Sequence, residues 1–238
     1  MTQGATRQER LRGKRTMLAQ LLALAGVIGP IFFVLGFTIA GWLDPGYSPL
    51  QESVSALGAE GPYPWLQNAT FVVFGLLLLA FALGFFHQMR EVLSTKGRRA
   101  STFLLVLTGT GLVSDGFLTE GPVTTLHGVL HGLGFLIIFG SLIIALLLIG
   151  GQLRAIAAWR GAGWYTMMTG MLTLGVLILS AALADPLQLT GLFQRILVVI
   201  AFGWYVVMGS RLVVYARAQE RRAGRNASPG ALESDQLQ

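Results

Sequence analysis

Apolar residues come in long unbroken runs rather than at alternating spacing. Six runs are long enough to carry a helix across a hydrocarbon core, which takes about 20 residues. They fall at 17–42, 65–86, 100–117, 125–150, 163–183 and 191–215. The third is diluted by glycines and by Thr108, Thr110, Ser114 and Asp115. It lies between two stronger runs, and the charges on either side of it require a crossing. The pattern therefore predicts an all-α integral membrane protein, a six-transmembrane-helix bundle spanning 17–215. A basic arm (1–16) precedes it and a polar tail (216–238), read as disordered from its composition, follows.

Short loops rich in Lys and Arg stay on the cytoplasmic side. The arm carries Arg7, Arg10, Arg12, Lys14 and Arg15, the second connection Arg90, Lys96, Arg98 and Arg99, and the fourth Arg154 and Arg160. The end of the last run and the tail carry Arg211, Arg217, Arg221, Arg222 and Arg225. All but one of the 17 basic residues thus share one side. The other connections hold Asp44, Glu52, Glu60, Glu120 and Asp185 with no Lys or Arg. Both termini are predicted to be cytoplasmic and the outer loops to be acidic, in the cytoplasmic (inner) membrane of a bacterium. The net charge of +6 is spread over cytoplasmic loops as topology demands, which argues against a nucleic-acid partner. The first run is too long for the ~7–15-residue core of a signal peptide and reads as helix 1.

Composition agrees: 53% of residues are apolar and 12% charged, against about 25% charged in a soluble domain. With no cysteine, disulfide scaffolds, zinc ribbons and thiol catalysis are excluded. Glycine, at 31 residues, supplies the close backbone approach that packs helices in lipid. Gly26, Gly29 and Gly36 recur on helix 1, Thr108, Gly111 and Asp115 share a face of helix 3, and the Gly128–Gly132 step on helix 4 reads as intramolecular packing. Each odd helix leaves through an acid and a proline (Asp44-Pro45, Glu120-Gly121-Pro122, Asp185-Pro186).

The outer loop 43–64 is the longest external segment. Asp44-Pro45-Gly46-Tyr47 reads as a turn. Ser48-Pro49-Leu50-Gln51 then offers a capping box with proline at the first helical position, and Glu52 favours the first turn. The expectation is a short helix ending at Gly58, with Leu50, Val54 and Leu57 on one side and Gln51, Glu52 and Ser55 on the other. It would lie as a lid over the bundle with its apolar side down, and Tyr47, Ser48, Glu52, Ser53 and Ser55 are the candidate lid-loop residues.

The stretch GYSPLQESVSALGAEGPYPWLQNATFVVFGLLL, preceded by the Gly29-Pro30 pair, resembles the signature of the prokaryotic membrane family known as domain of unknown function 998. The similarity is clearest over 27–79 and is supported by Asp115, His127 and the Gln194-Arg195 pair. It implies a six-helix integral membrane protein and no particular biochemical activity.

Ionisable side chains are expensive in hydrocarbon and usually face the bundle interior or mark function. At 1.5 Å per residue, Asp115, His127, His131 and Arg195 all fall in the outer half. Arg195, the one basic residue that breaks the charge pattern, is expected to have an acidic partner in Asp185, Glu120 or Asp115. Three readings follow. One is a structural network of interhelical hydrogen bonds in a small transporter or accessory subunit. The second is an outer-leaflet cavity of Asp115, His127, His131, Arg195 and Glu120 that binds a lipid head group or small amphiphile, with the histidines moving protons. The third is a metal-dependent membrane hydrolase in which His127, His131 and Asp115 hold a zinc ion. That arrangement resembles the membrane hydrolases that include alkaline ceramidases, but those have seven helices and a third metal histidine. The one other histidine, His87, lies at the opposite end beside Arg90 and reads as interfacial. The cavity reading needs no cofactor. Its partners are membrane lipids, with room for a protein partner or a second copy of the chain. No P-loop, GxSxG or GxGxxG motif is present.

Overall fold

The computed structural model describes residues 2–122 and 124–227, and among them there is no strand. Six helices follow one another: α1 (Thr2–Trp42), α2 (Pro64–Gln88), α3 (Thr95–Asp115), α4 (Leu126–Arg154), α5 (Arg160–Leu183) and α6 (Thr190–Ala227). Single 3₁₀ turns lie at Ala56–Gly58, Met89–Glu91 and Ala157–Trp159. Local chemistry sets the starts. Pro64 opens α2, where its missing N–H costs nothing, while Ser94 and Thr125 accept from the backbone N–H groups of Gly97 and Gly128 to cap α3 and α4. The basic arm 1–16 is helical from Thr2 and continues into α1 rather than standing apart. The polar tail is likewise helical as far as Ala227, and its remainder lies outside the described residues.

Five stretches are long and apolar enough to cross a membrane: Gly13–Trp42, Pro64–Glu91, Leu126–Arg154, Ala157–Leu183 and Thr190–Arg222. Helix α3 is the sixth, about 31 Å long, and falls short in hydropathy alone. Its place in the bundle accounts for this. The helices form a closed ring in chain order, each packed on its neighbours and α6 closing back on α1, so α3 is held between α2 and α4. Its buried face carries Ser101, Thr108 and Asp115 at successive intervals of seven, 0%, 0% and 4% exposed. Each meets a polar partner or small residue on α4. Gln152 lies opposite Ser101, the Thr108 and Ser141 hydroxyls share a hydrogen bond of 2.9 Å, and His131 with Gly134 lies opposite Asp115. Of the polar groups that dilute the apolar run, Thr108 and Asp115 face α4, whereas Thr110 is exposed.

Tight seams rest on glycine. A Cβ on Gly75 of α2 would sit 2.7 Å from the Gly109 carbonyl of α3, and one on Gly150 of α4 would sit 2.6 Å from the Met167 nitrogen of α5. On helix 1, Gly26, Gly29 and Gly36 pack on Phe81, Phe74 and Thr70 of α2 as expected. The Gly128–Gly132 step does not pack helix on helix: Gly128 lies on the Gly121 and Pro122 carbonyls of the incoming loop, and Gly132 has nothing within 4 Å. Glycine spacing alone does not tell which side of a helix meets protein. The α5–α6 seam instead carries a buried hydrogen bond from Trp204 Nε1 to Thr166 Oγ1 at 2.9 Å. In the middle of the ring Phe202 packs edge-on to Phe33 and Phe74 and beside Phe139 and Tyr205, joining α1, α2, α4 and α6.

Candidate functional site

One end of the bundle is closed by the segment between α1 and α2. The expected lid helix does not form. The Gln51 and Glu52 nitrogens both reach the Ser48 carbonyl, making one turn, and the Glu52 carboxylate returns to the Ser48 nitrogen at 3.1 Å in place of Gln51. The chain then breaks at Ser53 and turns again only at Ala56–Gly58. Ser53 ends the helix because its hydroxyl turns inward, accepting from the Ala56 nitrogen at 2.9 Å and donating to the Glu120 carboxylate. Val54 and Leu57 are buried as expected, whereas Leu50 is 54% exposed and Ser55, expected to face outward, is 6% exposed.

Arg195 fastens this cap to α6. Nη1 donates to the carbonyls of Pro49 (2.6 Å), Gly191 (3.0 Å) and Glu52 (3.3 Å), and Nη2 donates to the Tyr47 hydroxyl at 2.6 Å. The guanidinium also lies 5.5 Å from the ring centres of Phe37 and Tyr47. The expected carboxylate partner is therefore corrected: among the described residues neither Asp185, Glu120 nor Asp115 pairs with Arg195. Backbone carbonyls at the broken turn satisfy the charge, which no residue pattern advertises. Tyr47 passes the restraint on, donating to the Ser53 carbonyl at 2.8 Å. Burial pushes its phenol up, and Arg195 pulls it partly back, so the hydroxyl keeps its proton at neutral pH. The Gly191 and Leu192 nitrogens bond to the Gln51 and Leu50 carbonyls, and the Gln194 amide oxygen accepts from the Val54 nitrogen.

Beneath the cap lie Asp115 and His131. His131 Nδ1 is 2.7 Å from the Leu118 carbonyl. A carbonyl only accepts, so Nδ1 carries a hydrogen. The same nitrogen is 3.8 Å from Asp115 Oδ1, which has no hydrogen-bond partner although the residue is only 4% exposed. Asp115, Ser55 and Gln194 supply the polar wall of a cavity of about 20 Å³ otherwise lined by apolar side chains such as Phe33, Phe135 and Phe202. That is room for about one water molecule. In the first turn of α2, Gln67 is fully buried with both amide atoms unpartnered.

The structure thus brings together Asp115 and His131, and Glu120 with Ser53, and ties Tyr47, Ser48 and Glu52 into the cap around Arg195. His127 lies apart, exposed. Among the described residues no group of three or more His, Cys, Asp or Glu is placed to hold a metal ion. Ser53 meets a carboxylate without an intervening histidine. Gln194 and Ser55 join the site through the cavity. Gln194 stood out in the sequence only as part of the Gln194-Arg195 pair, and the heptad Ser101–Thr108–Asp115 was the available signal for the seam below.

Residues 27–211 match the family model described as "Protein of unknown function (DUF998)". The match runs from within α1 into α6 and includes every residue of the capped site. No curated protein and no solved structure matches the chain.

Proposed function

We propose that this chain, which belongs to the DUF998 family of proteins of unknown function, is a multi-pass membrane protein with all six helices across the bilayer and both termini cytoplasmic. Its outer cap, in this reading, is opened and closed by a proton. The apolar outer surface supports the membrane reading, since Met168, Met171, Leu172, Ile178 and Leu179 of α5 alone are 46–60% exposed, far more contiguous apolar surface than a soluble protein leaves bare. The positive-inside pattern supports the orientation and a bacterial cytoplasmic membrane.

The observation that carries the proton-linked reading is Asp115 Oδ1, a buried acceptor left unpartnered beside the His131 N–H and a water-sized space. An ionisable group at such a place is a functional hypothesis by default. The couple has a mechanical outlet. His131 holds the Leu118 carbonyl, and two residues on, Glu120 holds Ser53 in the cap. A proton gained or lost at Asp115–His131 changes the pull on Leu118 and hence on the Glu120–Ser53 bond. The other charged groups nearby are Arg195 and Glu52 in the cap itself, while α2 contributes only the neutral Gln67 and Asn68. A head-group or amphiphile-binding role for the cavity requires the cap to swing away, because the closed space takes a single water.

The test is the pH dependence of access beneath the cap. In a Ser55→Cys variant of this cysteine-free chain, the rate of thiol labelling relative to that of the free thiolate is expected to change with pH across the carboxyl and imidazole range. The change should vanish in Asp115→Asn and in His131→Gln. A relative rate that is flat with pH, or unaffected by either substitution, overturns the proton-linked reading and leaves the polar groups as structural fastening.

A further inference from the structure

Every tight charge interaction described so far lies at the capped end. At the opposite end, α1, the end of α2 and α6 enclose a hollow of about 280 Å³, lined by Arg15, His87, Gln88, Arg90, Tyr215 and Gln219 among others. Three other arginines at this end lie against aromatic rings. Arg98 lies 4.4 Å over Phe86, Arg154 4.6 Å over Trp164, and Arg211 4.8 Å over Trp159 while it also donates to the Ala158 carbonyl. Those in the hollow are not held in this way. Arg90 has only Glu91 at 3.6 Å, in a pair whose side chains are 73% and 64% exposed, which holds little in water. Arg15 is exposed.

The neutral groups of the hollow are also unfinished. Tyr215 accepts at its hydroxyl from Gln219 Nε2 at 2.7 Å, which leaves its own O–H to donate. Gln88 spends its Nε2 on the Ala19 carbonyl at 2.9 Å, and its Oε1 is buried without a donor. The hollow therefore presents two guanidinium forks, an imidazole and a phenol as donors to an anion, with the exposed Glu91 carboxylate beside Arg90 in the same lining and one amide oxygen without a donor.

From this we infer a binding site for a phosphate group whose ester carries a free hydroxyl. Guanidinium forks match two non-bridging phosphate oxygens, Tyr215 completes the donor set, and a neighbouring hydroxyl satisfies Gln88. Two sources share this chemistry: the head group of an anionic phospholipid such as phosphatidylglycerol, and a soluble phosphate. The hollow opens where the helix ends carry their aromatic and arginine side chains, the depth of lipid head groups.

Native mass spectrometry of the full chain in mild detergent tests this, with phosphatidylglycerol or phosphatidylcholine added. Wild type should retain phosphatidylglycerol in preference to phosphatidylcholine. Arg15→Gln/Arg90→Gln should weaken that retention roughly thirtyfold, at the usual gain per surface arginine. Arg160→Gln/Arg217→Gln, with the same loss of charge outside the hollow, should retain it as wild type does. If the first double variant melts early, Tyr215→Phe, which removes one donor, must still lower retention. Sodium phosphate that displaces the lipid where sodium chloride of equal ionic strength does not assigns the site to soluble phosphate. Retention against phosphate assigns it to the head group. Equal retention by both double variants, or no preference for phosphatidylglycerol over phosphatidylcholine together with no phosphate binding, overturns the inference.

Discussion

Arg195 Nη2 donates to the Tyr47 hydroxyl at 2.6 Å, across 148 residues of sequence, while Nη1 of the same fork gathers three backbone carbonyls. One side chain thus closes the bundle. A lysine has the charge but not the fork, so Arg195→Lys is expected to cost roughly 2 kcal/mol, in the range for hydrogen bonds to a charged group, and Tyr47→Phe about 1 kcal/mol. Because the two share one network, the double variant should lose less than the sum. Melting in detergent measures all three, and strict additivity would show that the contacts act separately.

Gly132 and Gly134 lie two residues apart on α4 and should respond in opposite directions. A Cβ at Gly134 would land on the Asp115 carboxylate, and one at Gly132 meets nothing within 4 Å. Gly134→Ala is expected to destabilise by about 1–3 kcal/mol through overpacking. Gly132→Ala should stabilise by about 0.5–1 kcal/mol through helix propensity. The same sign for both, in paired thermal melts, would contradict the α3–α4 packing.

The α5–α6 seam depends on a hydrogen bond more than on close backbone approach. Thr166→Val keeps the shape and removes the acceptor for the buried Trp204 N–H, at an expected cost of about 1–3 kcal/mol. Tryptophan fluorescence and the melting temperature should change together. A neutral result would mean that the indole finds another acceptor.

Cysteine scanning tests the orientation, and α3 in particular, against a background free of native thiols. Cysteines at the exposed positions Glu60, Thr124 and Leu187 should react with an impermeant maleimide on intact cells. Those at Lys96 and Ala157 should react only after permeabilisation. If Lys96 and Thr124 label from the same side, α3 does not cross.

The helices were legible because a long apolar run favours a segment that pairs all its backbone groups internally, and the runs give the bounds of α2 to α5 to within about five residues, whereas α1 begins well before its run and α6 ends well beyond its own. At α3 only half was readable: Thr108, Gly111 and Asp115 share a face by spacing alone, but Ser141 and Gln152 on α4 become partners only once the register is known. The cap was misread for a specific reason. The capping signature at Ser48 is real, but Ser53 finds Glu120, 67 residues away, and that contact breaks the helix the local signal proposes. Arg195 was expected to need a carboxylate, whereas its partners are the Pro49 and Glu52 carbonyls of that same broken turn, the Gly191 carbonyl of its own helix and the Tyr47 hydroxyl. The hollow around Arg15 and Arg90 was hidden by its ordinariness, since basic residues at helix ends read as cytoplasmic fit the charge pattern whether or not they converge.

The ring closed by α6 on α1 also sets an order of assembly. Phe202 and Tyr205, which complete the aromatic centre against Phe33, Phe74 and Phe81, belong to α6, the sixth helix to be synthesised, and so does Arg195. While the ribosome is still making α5, the centre is an open furrow and the cap has nothing to hold it. A chain truncated before Thr190 is therefore expected to leave both the furrow and the cap open, and to be a substrate for proteolysis rather than a smaller working protein.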